Sequence, residues 1–369
     1  MTLNITKMNQ RLLALDVFRG MTIFFMIVVN TPGSWNFVYA PLLHAKWDGC
    51  TPTDLVFPFF MFIVGVSMAI SYSKFEGTND KEWIKKAISR GLKIIFIGLL
   101  LNWFPFFTKN ISELRLFGVL QRIGLSFLVT GVLITLVHKK YLWVVLGVIL
   151  ASYWTILLSA GGQALTLEGN LVRTIDLALF GESHIYKGYG IPFDPEGLLS
   201  TLPAIGTVLL GYITGKTMIL IPEMNIKLKN LLLYGLGCIA VGLIWSNVGF
   251  PINKPIWSSS YVLFTGGLAM LMLAVMLWVI DVMNYKKWTY VFRSFGQNPL
   301  VCYALSGLIV KTILLINIGE QNLYAWSYTS IFQPIFGDYF GSLMFALSFV
   351  MIIWVIAWIM DRKGIIVKV

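Results

Sequence analysis

Ten apolar runs of about 20 residues occupy most of this 369-residue sequence and constrain its fold more than any other feature. A helix of about 20 apolar residues spans a bilayer, and it satisfies its own backbone hydrogen bonds there. The predicted helices lie near residues 13–32, 55–73, 87–106, 117–137, 141–159, 198–219, 229–250, 258–283, 295–317 and 338–360. The sequence therefore predicts an all-α integral membrane protein with about ten transmembrane helices, in a single domain over residues 1–369.

The net charge of +11 is explained by the distribution of the basic residues. Connections that would share a side with the N-terminus hold 18 Lys and Arg residues, whereas the opposite connections hold six. Basic residues accumulate on the cytoplasmic side of membrane proteins, so both termini are predicted to be cytoplasmic. The charge thus reflects topology and contact with membrane lipid, and we predict no nucleic-acid partner. No small-residue cleavage site follows the first run, which predicts an uncleaved first helix.

The first predicted helix carries polar residues at two depths. Asp16 and Arg19 stand three residues apart, on one helical face, where they can form an ion pair that lowers the cost of burial. That pair fits a packing role and a ligand-binding role about equally well. Asn30 lies about 21 Å farther along the helix, which places it near the external end.

The first external connection contains "HAKWDGCTPTD", with His44 ahead of the second helix. An imidazole can act as a general base or as a nucleophile, although a loop histidine can also be merely solvated. Trp47 can stack on a sugar or anchor the interface, and Asp48 and Asp54 can bind an amine or hydroxyl of a substrate. Asp54 can instead be the first-turn acid of the second helix.

Basic residues within or next to predicted spans are candidates for binding an anionic group. Arg115 lies at the external start of the fourth predicted helix, and Arg122 lies about two turns farther on, where an arginine needs an acidic, carbonyl or phosphate partner. Lys93, in the third helix, is a further candidate, although its side chain can also reach back to the interface. The sequence contains no P-loop, dinucleotide-binding glycine pattern or HExxH motif, and its three cysteines have no metal-binding spacing, so no metal cofactor is predicted.

Two further patterns indicate where substrates enter. The connection at 160–197 is acidic, as a solvated surface is, but an acidic vestibule would also attract a cationic amino sugar. The segments "NKPIWSSSY" and "GQNPLVCYALSG" place Asn, Pro, Ser and Gly at the entrances of spans, where broken helices commonly line cavities. Gly211 and Gly215 form a GxxxG packing pattern.

These segments together resemble the transmembrane domain of the heparan-α-glucosaminide N-acetyltransferase family. The resemblance rests on "LDVFRGMTIFFMIVVNTPG", "HAKWDGCTPTDLVFPFFMFIVGVS", "RLFGVLQRIG", "FDPEGLL", "NKPIWSSSYV" and "GQNPLVCY", which occur in order along nearly the whole chain. It implies a bacterial-type form of the domain, without the luminal domain of the animal enzyme, in the inner or plasma membrane.

The resemblance implies an acetyltransferase that moves an acetyl group from cytosolic acetyl-CoA to an external amino sugar or glycan terminus. His44 and Asn30 match the family's active-site histidine and nearby asparagine, and Arg115 and Arg122 match its "R..GVLQR" pattern. With acetyl-CoA as donor, the charges of Arg115, Arg122 and Lys93 make these residues the candidates for holding the CoA phosphates. A homodimer is a further implication, to which the GxxxG pattern adds weak support. The alternative function is a transporter of sugar or N-acetylglucosamine, because broken spans and buried charges suit transport as well.

Overall fold

The computed structural model describes residues 12–108 and 110–367. Lys7 and Arg11, which contribute to the predicted orientation, lie outside these residues. Fourteen α-helices are present in the described ranges: α1 Leu13–Asn30, α2 Pro52–Tyr72, α3 Asp80–Trp103, α4 Val119–Leu136, α5 Leu142–Leu158, α6 Leu171–Phe180, α7 Thr201–Leu220, α8 Met224–Asn247, α9 Ser259–Leu277, α10 Thr289–Gln297, α11 Pro299–Ile313, α12 Leu323–Ser327, α13 Gln333–Phe336 and α14 Asp338–Arg362. Two strands of two residues each, β1 Asn317–Ile318 and β2 Gln321–Asn322, pair as an antiparallel hairpin and form the sheet found within these ranges.

All ten predicted spans correspond to helices, and eight helices in the described ranges are long and apolar enough to cross a membrane. The other two are α3 and α11. The first half of α3 is rich in charged residues, and α11 is short, with 15 residues. The all-α membrane class is thereby confirmed, while the orientation of the termini stays a prediction.

The predicted span at 295–317 differs from the observed structure because the chain breaks at Asn298. This residue ends α10 and directly precedes α11, whose first residue is Pro299. Proline has no backbone N–H and fits the first turn of a helix, which explains why a new helix begins there. The break leaves polar groups inside the bundle, as expected for the "GQNPLVCY" segment.

Glycines allow the central helices to pack with their backbones in close contact. A Cβ on Gly65 of α2 would lie 2.0 Å from the Val208 carbonyl oxygen of α7, and one on Gly211 of α7 would lie 2.0 Å from that of Phe62 in α2. Gly215 likewise faces α2. The GxxxG pattern therefore serves packing within the chain, which corrects its use as support for a homodimer.

The opposite ends of this bundle carry the two regions that matter for function. One end holds the connections at 31–51, 159–200 and 248–258, together with the short helix α6, which the apolar-run analysis missed. We call it the His44 end. The other end holds the start of α3 and the ends of α2 and α14. We call it the Lys86 end, and the charge distribution predicts that it is cytoplasmic.

Candidate functional site

At the His44 end, the imidazole of His44 is paired with a buried carboxylate. The Nδ1 atom of His44 lies 2.6 Å from Oδ1 of Asp54, and the two side chains are 48% and 1% exposed. A contact this short with a carboxylate requires a proton on Nδ1, so we assign that tautomer to the ring. In the neutral form of this ring, the Nε2 atom has the lone pair, and the ring remains accessible from solvent.

Asp54 has this position because it also lies in the first turn of helix α2. Its Oδ2 accepts hydrogen bonds from the backbone N–H groups of Ala45 and Thr51, at 3.0 Å each, and from the Thr51 hydroxyl, as part of a capping box. These bonds stabilise the first turn and fix the carboxylate against the His44 connection. The first-turn interpretation of Asp54 is confirmed, and since its acceptor oxygens are used within the chain, we assign it an orienting role instead of the predicted substrate contact.

A lysine that the sequence analysis did not single out completes this group. The Nζ atom of Lys254 lies 3.0 Å from Nδ1 and 3.4 Å from Nε2 of His44, and 3.4 Å from Oδ1 of Asp54. The Lys254 side chain is 17% exposed. Burial lowers the pKa of Lys254, while the charges of Asp54 and Glu196 oppose that shift. The signal that could have found it was the "NKPIW" segment, which was noted only for its Asn and Pro.

Two loop contacts hold Lys254 next to His44. Asp48 and Asn253 form an isolated antiparallel bridge, and the Asn253 amide donates to the Asp48 carboxylate at 3.1 Å. The N–H of Gly49 donates to the Ile252 carbonyl at 2.7 Å, and the φ of +109° at Gly49 requires glycine. In this structure Asp48 connects the two loops, whereas a substrate contact was predicted for it.

Trp47 connects the segment that contains His44 to the acidic connection at 160–197. Its indole N–H donates to the Leu165 carbonyl at 2.8 Å, and its ring packs edge-on against Tyr189 and Phe193. The ring is half-buried, so part of it faces solvent near His44. Trp47 therefore combines a structural role with an exposed aromatic surface, and its predicted contact with a sugar stays a prediction.

Arg115 lies in a cluster of opposite charge at the His44 end. Its guanidinium binds both oxygens of Asp194, at 2.9 and 2.8 Å, and one oxygen of Glu196 at 2.6 Å. It also lies over the ring of Tyr186. Such a bidentate pair fastens the acidic connection to the start of α4. Because two carboxylates neutralise this cation, it is poorly placed to bind the phosphates that the sequence analysis assigned to it.

Arg122 is buried, as predicted, and is 1% exposed. It donates to the Ser200 hydroxyl and the Gly197 carbonyl, and its guanidinium lies 4.9 Å from the centre of the Trp257 ring. Its Nε and Nη1 atoms have no hydrogen-bond partner in the part of the chain that the structure describes. Trp257 in turn packs against Phe57 of α2, so Arg122 supports the packed layer behind His44.

Asp176 of α6 provides a pH-dependent contact in the same region. Its carboxyl group is buried, its Oδ1 accepts the N–H of Leu198 at 3.0 Å, and its Oδ2 packs against Gly197. Burial raises the pKa of Asp176 to about 7. The folded state therefore binds this proton more tightly than the unfolded chain does, and the associated stability is lost as pH rises through about 7.

We expect Asp176→Asn to remove this pH dependence, because the amide stays neutral. The melting temperature of the purified variant, relative to wild type, should be higher at pH 8 than at pH 5. Asp338→Asn is the control, since that carboxylate begins α14 and accepts from the Gln333 amide instead of from Leu198. An equal difference between Asp176→Asn and wild type at both pH values would contradict the assignment.

A cavity of about 360 Å³ opens at the Lys86 end and runs into the bundle. Its volume falls within the range of about 300–1,000 Å³ that is typical of small-molecule sites. On α2 the lining extends from Ser71 to Phe60, about 16 Å along the helix axis. On α1 it extends from Arg19 to Met26. The inner part is mostly apolar, whereas charged side chains lie near the mouth.

Three basic residues line the mouth of the cavity: Arg19, Lys86 and Arg90. Arg19 makes the predicted pair with Asp16, at 3.0 Å, and also contacts Ser67. Within the described residues, Lys86 and Arg90 have no carboxylate partner, and each lies over a phenylalanine ring, Phe75 and Phe127 respectively. The positive charges of Lys86 and Arg90, which no carboxylate balances in the described residues, favour an anionic ligand at the mouth.

The broken helix forms another wall of this cavity. Asn298 donates through its amide to the Ile365 carbonyl and accepts the N–H of Val367, both at 2.8 Å. Asn298, Ile366 and Val367 all line the cavity. The segment after α14 is thus fastened across the mouth by the residue at which α10 and α11 separate. The prediction that this break lines a cavity is confirmed.

The two remaining predicted residues lie apart from both groups. Asn30 is the last residue of α1, where its side-chain amide donates to the Met26 carbonyl at 2.7 Å. Met26 lines the cavity, so Asn30 lies one turn beyond it toward the His44 end. Lys93 is exposed on α3 and is not among the residues that line the cavity. Its predicted contact with a cofactor has no support from its position.

Fold and site together define a multi-pass membrane protein with a cavity lined by basic residues at one end and a His–Asp–Lys group at the other. The sequence profile described as "Heparan-alpha-glucosaminide N-acetyltransferase, catalytic" matches residues 11–243, which is more than half of the chain. The chain belongs to this family.

Two curated relatives are similar along most of the chain. The heparan-alpha-glucosaminide N-acetyltransferase of Homo sapiens is 28% identical over 364 residues, covering 82% of this chain and 53% of that protein. The protein of the same name from Mus musculus is 28% identical over 353 residues, covering 79% of this chain and 53% of its own length. The chain therefore spans about half the length of the curated relatives that it matches.

Proposed function

We propose that this protein is a transmembrane acetyltransferase that moves an acetyl group from acetyl-CoA, at the predicted cytoplasmic end, to the amine of an amino sugar or glycan terminus at the His44 end. One observation carries the proposal: a single helix bundle holds a cation-lined cavity at one end and the paired His44 and Asp54 at the other. Family membership supports the reaction class.

The donor fits the cavity by its chemistry. Coenzyme A combines an anionic nucleotide with a long, narrow pantetheine arm that ends in the thioester. Lys86 and Arg90 would hold the phosphates at the mouth in place of Arg115 and Lys93, and the arm would extend along the apolar walls toward Met26 and Phe60. Arg122 lies outside the residues that line this cavity, so its predicted role as a phosphate ligand is not part of the proposal.

Measured along helix α2, the inner end of the cavity lies close to the His44 group. On α2, Asp54 is six residues beyond the lining residue Phe60, a rise of about 9 Å. A thioester at the inner end therefore needs to cross only this short layer to meet the acceptor.

At the His44 end, the imidazole would accept the proton of the acceptor amine or carry the acetyl group transiently. Asp54 holds Nδ1–H, so Nε2 faces the reaction in either case. Lys254 places a positive charge beside the ring, where negative charge develops on the thioester oxygen. The acetyl carbon leaves the CoA sulfur and forms a bond to nitrogen, and the proton released by the amine ends on the thiolate.

Asn30 is proposed as a hydrogen-bond donor to the developing oxyanion. Its amide would have to leave the Met26 carbonyl, which lies on the cavity wall one turn away. We expect Asn30→Ala to lower turnover by about 10²–10³-fold, the usual cost of one oxyanion donor. Initial rates of CoA release by wild type and variant would measure this. The control is Asn36→Ala, at an exposed asparagine in the connection after α1. Near-normal turnover of Asn30→Ala would contradict the role of Asn30.

Removal of the Arg90 charge should weaken donor binding more than turnover. We expect Arg90→Gln to raise the KM for acetyl-CoA about tenfold, because a charge-assisted hydrogen bond contributes roughly 1.5 kcal/mol. The effect should shrink at high salt, which screens such contacts. Lys93→Gln, on the exposed face of the same helix, should leave the KM unchanged. A larger effect of Lys93→Gln would contradict the assignment of the mouth.

The proposal is tested by release of free CoA from acetyl-CoA by purified protein in detergent. Release should require a glucosamine-type amine, and N-acetylated sugar should appear in equal amount. Saturable uptake of N-acetylglucosamine into vesicles without consumption of acetyl-CoA would instead indicate a transporter, and the proposed function would be wrong.

A further inference from the structure

We propose that Lys254 is a self-acetylation site: in the absence of an acceptor, the acetyl group delivered to His44 passes to the Nζ atom of Lys254. This inference rests on the proposed function, because that function supplies the acetyl group. The result is a neutral amide on a side chain whose positive charge the proposed reaction uses.

The first argument is distance. Lys254 Nζ lies 3.0 and 3.4 Å from the two ring nitrogens of His44, so an acetyl group on, or in transit to, that ring lies within bonding reach of the amine. Reacting atoms held about 3–3.5 Å apart gain most of the rate advantage of an intramolecular reaction. In this position the lysine competes directly with the external acceptor.

The second argument is the state of the amine. Only an unprotonated amine attacks an acyl group, and burial lowers the pKa of Lys254. The Asp54 carboxylate, 3.4 Å away, is placed to receive the proton that the amine must lose. With the side chain 17% exposed, water has less access to this position than it has to the half-exposed His44.

The chemistry balances without any further reactant. The thioester C–S bond of acetyl-CoA breaks, an amide C–N bond forms at Lys254 Nζ, and the proton lost from nitrogen ends on the CoA sulfur. The product has no charge on Lys254, so Asp54 loses its cationic partner. A protein kept with donor but without acceptor should therefore lose activity in step with the modification.

Lys46 provides a matched comparison. It lies two residues from His44 in the same connection, but it is exposed and makes no contact with the imidazole. Acetyl-CoA that reacts unselectively with lysines would modify Lys46 more readily than Lys254. Selective modification of the less exposed lysine would need the geometry described above.

The experiment is incubation of the purified, full-length chain with labelled acetyl-CoA and no acceptor, followed by intact-mass and peptide mass spectrometry. We expect one acetyl group per chain, on Lys254, with Lys46 unmodified. In His44→Ala and His44→Gln, Lys254 should be labelled at least about 10²-fold more slowly, and Lys254→Arg should gain no stable acetyl group. An amino-sugar acceptor should slow the labelling.

The possible failures are distinguishable. Acceptor-dependent CoA release with an unmodified Lys254 would overturn this inference and leave the proposed function intact. Equal labelling of Lys254 in wild type and in both His44 variants would also overturn it, because the reaction would then be unselective. Absence of both CoA release and labelling would mean that the proposed function and the inference are wrong together.

Discussion

Replacement of His44 by alanine is expected to lower acetyl transfer by about 10²–10⁴-fold, the range that a positioned proton-transfer group contributes. The protein should fold normally, because the imidazole is about half exposed and its loss leaves no cavity in the core. Rates of acceptor-dependent CoA release, measured on protein that elutes as wild type on gel filtration, provide the test.

His184 is the matched control. It is a histidine of the same end of the bundle, and its Nδ1 contacts the Leu114 carbonyl at 2.7 Å instead of a carboxylate. We expect His184→Ala to reduce transfer by less than about tenfold, through local structure alone. The assignment of His44 would be wrong if His44→Ala kept the wild-type rate of transfer, or if His184→Ala lowered that rate more than His44→Ala does.

Replacement of Asp54 by alanine is the second change with a large expected effect, because this carboxylate serves three purposes. It orients His44, balances the charge of Lys254 and completes the capping box at the start of α2. Loss of the cap costs about 0.5–2 kcal/mol of stability, and removal of one partner of a buried ion pair costs about 3–5 kcal/mol. Asp54→Ala should therefore be both inactive and less stable.

Asp54→Asn separates these effects. The side-chain oxygen of asparagine can still cap the helix, but its neutral amide cannot hold the Nδ1–H of His44 as a carboxylate does. We expect stability within about 2 kcal/mol of wild type with transfer lowered nearly as far as in His44→Ala. Melting temperature and CoA release, measured on the same preparation, would show this. High activity in Asp54→Asn would contradict the orienting role.

The ten helices could be predicted from the sequence because apolar length alone specifies a membrane span. The break at Asn298 was visible in "GQNPLVCY", and the Asp16–Arg19 pair followed from helical spacing. By contrast, α6 was missed because it is short and lies outside the apolar runs. Helices of this kind are held by tertiary contacts, which periodicity does not report.

The site could be predicted only where one local segment contains it. His44 and Asp54 are ten residues apart, and both were singled out. Lys254 is 210 residues from His44 in sequence, so nothing local indicated their contact. Arg115 and Lys93 were chosen by charge, but the fold gives Arg115 two carboxylates and leaves Lys93 exposed. Lys86 and Arg90 line the cavity instead. From the sequence, these two residues had contributed only to the charge asymmetry that predicts the topology.

The central claim is that donor and acceptor meet from opposite ends of one bundle. The most direct measurement uses the protein in sealed liposomes, with its orientation determined by protease access, acetyl-CoA on one side only and a membrane-impermeant amino sugar on the other. We predict acetylated sugar on the side of the His44 end and free CoA on the side of the Lys86 end. Transfer that occurs only when both substrates are on the same side would contradict the account.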